Sequence, residues 1–310
     1  MRVFALLPVL LLCAARVAAE PPLSPSPAFG SLHGSDAEAP RASAPLAVVA
    51  TIVPLAWLVK ELGGERVSVH ALVPPGATPH TFEPRPSDLA RVAEARLFVS
   101  AGRGVDDWVA SIAVAEGPAP LVLLDALGPG QDPHFWLDPI AVRDGVLPVL
   151  EAALATADPD GREHYARRRR AFAHTLSALD HEIRSALTGV VRRPVVPLHD
   201  AWGAFAARYG IPLLPPVEQR AAEEPTPRTL ARLADAARTG GAVAVLVEPQ
   251  LPPAAAAALA ESLGVPSVVA DPYGDPRVPE RASYEALLAF DAEAFRHAML
   301  SHSRKASEVQ

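Results

Sequence analysis

The chain has 310 residues, of which 50% are hydrophobic and 20% charged, enough to bury a sizeable core and to make two domains. A formal net charge of -7 argues against nucleic acid or an anionic membrane surface as partner, and aromatics at 5% leave little for stacking bases.

The N-terminus carries the three parts of a secretory signal over residues 1–19. Arg2 is the positive start, "VFALLPVLLL" the apolar run, and Val17 to Ala19 the small residues before Glu20. The run is shorter than the roughly 20 residues of a membrane span. Cys13 is the single cysteine, with Leu12 where lipid attachment would call for a small residue, so an unanchored, periplasmic protein is expected in preference to a lipoprotein. The mature chain then has no thiol, and a metal site must be built from histidine and carboxylate. Residues 20–44, rich in Pro, Ser, Ala and Gly, read as a disordered lead-in that contains His33.

From residue 45 short apolar runs alternate with helical stretches, the pattern of βαβ units and parallel sheets. In the first half, residues 45–158, "LAVVAT", "VSVHALV", "LFVS" and "PLVLLDAL" are expected strands. Helices are expected at "PLAWLVKELGG", at "PSDLARVAEA" with a cap at or near Ser87 and a face of Leu89, Val92 and Ala93, and at "VDDWVASIA". A further helix, "PIAVRDGVLPVLEAALATA", should kink at Pro148. Residues 159–189 form one long helix: Phe172, Leu176, Leu179, Ile183 and Leu187 recur at helical spacing, and about 27 residues would span roughly 40 Å. Its Arg167 to Arg170 run reads as a solvated face, and His164, His174 and His181 as surface histidines.

The second half, residues 190–310, repeats the plan. Strands are expected at "PVVPL", "IPLLPPV", "AVAVLVEPQ" and "VPSVVA". Helices are expected at "DAWGAFAARYG", at "PRTLARLADAARTGG" with Thr226 as cap and Pro227 first, at "PPAAAAALAESLG" and at "SYEALLAFDAEAFRHAML".

Four ligand-type residues stand where an apolar strand gives way to a Pro- or Gly-bearing loop: His80 in "GATPHTFEP", His134 in "DPHFWLDP", His199 in "VVPLHDAWG" and Asp271 in "VVADPYGD". Ligands of open α/β sheets bind at the carboxyl ends of strands. Separations of 54, 65 and 72 residues make no local metal motif, and the signal is the repeated placement, two residues in each half. His70 falls on strand alternation and reads as a strand-face histidine. Three imidazoles and a carboxylate suit tetrahedral Zn²⁺, whereas Mn²⁺ favours more oxygen; Cu²⁺ or Ni²⁺ would bind such a set at least as tightly in vitro. Asp132, Asp138 and Asp200 are candidates to orient the rings, with helix capping an equal alternative for Asp200. Trp136 and Trp202 read as packing beside the ligand loops.

In "PPGATPHTFEPRPSDLARVAEARL", "DPHFWLDP", "LHDAWGAFAARYGI", "EPTPRTLARL" and "VVADPYGD", in that order, the chain resembles the zinc/manganese ABC-transporter solute-binding proteins. The resemblance implies an α/β fold of two Rossmann-like lobes with parallel sheets, joined by one long rigid helix, with metal in the cleft between them. It implies His80, His134, His199 and Asp271 as ligands and a membrane permease as partner, in a non-catalytic receptor expected to be a monomer. A histidine at the third ligand position, here His199, resembles the zinc-type members rather than the manganese type. Many zinc members carry a long His-rich loop between the first two ligands, where this chain has only "AVAEGPAP". Competing readings are a manganese- or iron-preferring receptor, an exported zinc hydrolase with Glu83 as base, and a receptor for an organic ligand such as a metal chelate.

Overall fold

The computed structural model describes residues 44–112, 117–218 and 225–307. The signal segment, Cys13, nearly all of the 20–44 lead-in and residues 113–116 of "AVAEGPAP" lie outside them.

The first half is built on four strands, β1 (Leu46–Ala50), β2 (Val67–Ala71), β3 (Leu97–Ser100) and β4 (Pro120–Val122), all parallel in the order β2-β1-β3-β4. Val48 lies opposite Val69 on one side and Leu97 on the other. Between the strands run α1 (Val53–Gly63), α2 (Pro86–Glu94) and α3 (Val109–Ile112), and α4 (Leu123–Leu127) follows β4 directly. The chain then continues as α5 (Pro139–Ala141), a π turn over Val142–Val146, and α6 (Leu147–Ala157). Pro148 enters in the first turn of α6, and the wide turn just before it relieves the clash its ring would make with a carbonyl four residues back. The expected kink is therefore a π turn.

Next comes α7 (Arg162–Ala186), 25 residues and about 37 Å long, close to its expected length. The second half holds β5 (Val195–Val196), α8 (Gly203–Tyr209), α9 (Pro227–Thr239), β6 (Ala244–Val247), α10 (Ala254–Leu263), β7 (Ser267–Val269) and α11 (Tyr284–Ser307). Its three strands are parallel in the order β5-β6-β7. Thr226 Oγ1 accepts from Thr229 N and caps α9 with Pro227 next, while Gly210 ends α8 in the left-handed region at φ 65°.

One apolar cluster runs through both halves. It joins Val48, Ala50 and Val99 of the first sheet to Val195, Ala244 and Leu246 of the second, with Phe172, Leu176, Leu179 and Ile183 of α7 between them. Helix α7 packs against α1, α5, α6 and α11, so it forms the spine of a shared core. Burying each of the Val, Leu, Ile and Phe side chains among these is worth about 1.5–3 kcal/mol, which makes independent movement of the halves costly wherever it would open this seam. Polar ties add direction: Asp180 on α7 accepts from Arg208 of α8 at 2.6 and 2.9 Å, and Asp158 takes Arg66 and the Tyr165 hydroxyl.

The structure corrects several expectations. "IPLLPPV" is not a strand: only an isolated bridge pairs Leu213 with Val195, so the second sheet has three strands against four. Two Pro-Pro or Ile-Pro steps remove the donors a ladder needs. "PLVLLDAL" is strand only to Val122 and then turns helical, and "VDDWVASIA" forms helix only over Val109–Ile112 among the described residues. On α2 the cap expected at or near Ser87 falls to its neighbour Asp88, whose side chain accepts from Arg85 N. Val92 is buried there while Leu89 and Ala93 are exposed. The arginine run is only partly solvated: Arg168 donates to the Glu61 carbonyl and Arg169 pairs with Glu151, tying α7 to α1 and α6. His164 of that helix also docks, its Nε2 lying 3.0 Å from the Gly63 carbonyl, whereas His174 and His181 are exposed.

Candidate metal site

Each of three histidines leaves the chain at a tightly held turn. His80 lies in the single 3₁₀ turn Pro79–Thr81 beyond β2, where Thr78 Oγ1 accepts from His80 N. Trp108 Nε1 donates to the Pro79 carbonyl at 2.9 Å and its ring packs on Phe82. His134 opens the 3₁₀ turn Phe135–Leu137, with its backbone N donating to Asp132 Oδ1 at 2.7 Å. That turn is clamped from the other half: Trp136 Nε1 donates to the Pro272 carbonyl at 2.7 Å, and Tyr284 Oη donates to the Trp136 carbonyl at 2.6 Å. His199 stands just past β5, with its side chain 4% exposed.

These three turns bring the imidazoles of His80, His134 and His199 together, one ring atom of each lying within 4.8 Å of the others. Ring centroids are 5.7 Å apart for His80 and His134, 5.2 Å for His80 and His199, and 5.4 Å for His134 and His199. Burial holds His80 down at about 4, with the His199 charge adding to it, and holds His134 well below its ordinary value for the same reasons and from His80 as well. Both are thus neutral at physiological pH, the form that binds a metal. His134 Nδ1 and both ring nitrogens of His199 are buried with no hydrogen bond of good geometry, although His199 Nδ1 lies 2.5 Å from Glu248 Oε2. An unpaired buried polar atom costs about 1–3 kcal/mol, and a donor set left bare in this way fits a cation held by imidazole lone pairs.

Asp271 is not among the atoms of that cluster. Its Oδ1 accepts from Gln250 Nε2, Tyr273 N and Gly274 N at 2.7–3.0 Å, and its Oδ2 faces Arg281 Nε at 3.1 Å. Tyr273, two residues on, places its hydroxyl 3.1 Å from His80 Nε2 and 3.5 Å from His134 Nε2.

None of the three aspartates proposed as orienters bonds a ring. Asp132 Oδ1 lies 3.9 Å from His134 Nδ1 and serves the backbone, Asp138 caps α5 through Ile140 N and Ala141 N, and Asp200 is exposed. The carboxylate that does meet a ring is Glu248, fully buried, with Oε2 2.5 Å from His199 Nδ1. Its Oε1 accepts from Trp202 Nε1 at 3.3 Å and from His199 N at 3.5 Å. A carboxylate on Nδ1 fixes the tautomer that leaves Nε2 for a metal. Glu248 directly follows β6, so the strand-end rule that marked the histidines would also have marked it. Behind it Asp291 is buried on α11, accepting from Asp271 N, and burial together with Asp271 and Glu248 pushes its carboxyl well above the usual range. Trp136 and Trp202 are fully buried beside these loops, as read from the sequence, whereas Glu83 is exposed and His70 lies on the exposed edge of β2.

Fold and site together define a two-lobed α/β binding protein with imidazoles gathered where its halves meet. A family model described as "Zinc-uptake complex component A periplasmic" matches residues 48–298, and the chain belongs to that family of solute-binding proteins. The chain is 32% identical over 213 residues to the manganese-binding lipoprotein MntA of Halalkalibacterium halodurans, covering 66% of this chain and 71% of the relative. It is 26% identical over 211 residues to the high-affinity zinc uptake system protein ZnuA of Bacillus subtilis, covering 61% and 66%. A crystal structure of ZnuA superposes with a TM-score of 0.71 at 27% identity, covering 82% of this chain and 98% of that one. The periplasmic zinc binding protein TroA of Treponema pallidum shares the fold with a TM-score of 0.74 at 21% identity.

Proposed function

We propose that the protein is an extracytoplasmic receptor that captures one zinc ion on His80, His134, His199 and Asp271 and hands it to the membrane permease of an ABC importer. The observation that carries this reading is the meeting of three imidazoles from three separate loops of both halves, His134 and His199 buried and His80 half-buried, with burial holding His80 and His134 in the neutral form. Family membership supports the transport role, since relatives are named as zinc and manganese uptake components. Three nitrogen donors favour zinc over manganese, which seeks oxygen. For Asp271 to complete a tetrahedral set, its Oδ2 turns from Arg281 to the ion. The domains are proposed as residues 45–158 and 190–310 joined by a helix over 159–189, the ion being held between them. Several relatives are named lipoproteins, which reverses the preference for an unanchored chain: Cys13, the only thiol, is the residue to carry a lipid.

Metal analysis and calorimetry on the metal-stripped protein test this reading. One zinc per chain at submicromolar affinity is expected. Tight manganese with weak zinc binding overturns the choice of metal, and zinc-dependent turnover of a peptide or ester overturns the receptor role.

A further inference from the structure

The geometry points to Tyr273 as the gate of the ion site: its hydroxyl takes the lone pair of His80 that an ion needs, and capture exchanges this hydrogen bond for the metal. The inference rests on the receptor reading above. Tyr273 Oη lies 3.1 Å from His80 Nε2 and 3.5 Å from His134 Nε2, and the residue is 5% exposed. In the tautomer that carries its proton on Nδ1, His80 presents Nε2 as a lone pair, and the Tyr273 hydroxyl donates to it. A donor and a cation cannot share one lone pair, so the two compete directly.

The backbone beneath Tyr273 is fixed. Tyr273 N and Gly274 N both donate to Asp271 Oδ1, and the preceding Pro272 carbonyl accepts from Trp136 Nε1. Gly274 sits at φ 70°, where an added Cβ would come within 2.5 Å of the Trp57 ring. With the turn fixed, release of His80 falls to rotation of the Tyr273 side chain, whose ring packs beside His134 and Trp136. The same turn carries Asp271, so swinging the phenol out and recruiting the carboxylate happen within three consecutive residues.

The test is the Tyr273→Phe variant, which keeps the ring and removes the hydroxyl. Zinc affinity is read against wild type by competition with a chromophoric chelator. Loss of one neutral hydrogen bond from the metal-free state, worth about 0.5–1.5 kcal/mol, corresponds to zinc binding about two- to tenfold tighter at unchanged stoichiometry. Equal or weaker zinc affinity in the variant overturns the gate. Failure of wild type to bind zinc or any other divalent transition metal overturns the receptor reading itself, a distinct result. Ultraviolet difference spectra of wild type on zinc addition provide a second readout that needs no variant. A shifted neutral-phenol band supports displacement, and a new phenolate band makes Tyr273 a ligand and overturns the gate.

Discussion

Replacing Glu248 by Gln is the sharpest probe of how the site is held. The wild-type carboxylate is fully buried, with Oε2 2.5 Å from His199 Nδ1 and Oε1 within reach of Trp202 Nε1 and His199 N. A carboxylate this close to Nδ1 favours the tautomer in which His199 presents Nε2, and it strengthens that nitrogen as a donor to a metal. An amide keeps the size and can still accept through its oxygen but loses the charge. If its NH₂ turns to Nδ1 instead, it selects the wrong tautomer. Outer partners of metal-bound histidines contribute about 10–100-fold to affinity, or roughly 1.4–2.7 kcal/mol. A fall of that size is expected in chelator competition, with thermal stability changing little because the packing is kept. Glu248→Ala should weaken binding at least as much and also lower stability, since it leaves Trp202 Nε1 without an acceptor and opens a cavity. Zinc affinity within about threefold of wild type in a folded Glu248→Gln protein would refute the assignment, and the carboxylate would then be only a packing partner of Trp202.

Further outcomes follow from the same geometry. His134→Ala and His199→Ala should each abolish tight zinc binding while the far-ultraviolet spectrum is kept, and titration calorimetry decides. Zinc binding should persist well below pH 6.5, because burial holds His80 at about 4 and His134 also low; a collapse centred at 6.5 would contradict this. Folding itself should respond with a definite sign. A histidine whose folded value is depressed contributes stability that is complete above about 6.5 and is lost as pH falls towards its folded value, here about 4 for His80. That loss, up to about 3 kcal/mol for His80, should shrink in His80→Gln, and identical acid melting profiles for the two metal-free proteins would count against it. Gly274→Ala should cost about 1–3 kcal/mol, since it combines a left-handed backbone with a clash on Trp57, and a melting temperature equal to wild type would remove the argument for a rigid turn. Finally, Cys13→Ala should abolish incorporation of labelled fatty acid, and labelling that persists in the variant would exclude Cys13 as the anchor.

Much of the arrangement is legible in the chain because it depends on local chemistry. Alternation of Val-rich runs with capped helices specifies parallel sheets, and Phe172, Leu176, Leu179 and Ile183 mark α7 without reference to anything else. The histidines were visible by the same local logic, since a strand end followed by a Pro-bearing turn has few places to lie except along one sheet edge. What the sequence leaves undetermined are features settled by neighbours distant in the chain. Whether "IPLLPPV" becomes a strand depends on which donors its prolines leave for Val195, and tertiary context reduces it to one bridge. That Arg168 and Arg169 are anchors and not solvated charges depends on Glu61 and Glu151 reaching them across helix interfaces.

Composition and local pattern are enough for the class of this protein: βαβ alternation in two halves with ligand-type residues at strand ends. The detail of the site came from long-range packing. It drew three imidazoles together, set Glu248 behind His199, turned Asp271 towards Arg281 and laid the Tyr273 hydroxyl over His80. The physical reason is range. Strand and helix formation is governed by side chains a few residues apart, whereas Glu248 meets His199 across 49 residues and Tyr273 meets His80 across 193. No periodicity extends that far, and such contacts exist only once α7 and the shared core have fixed the two halves against each other.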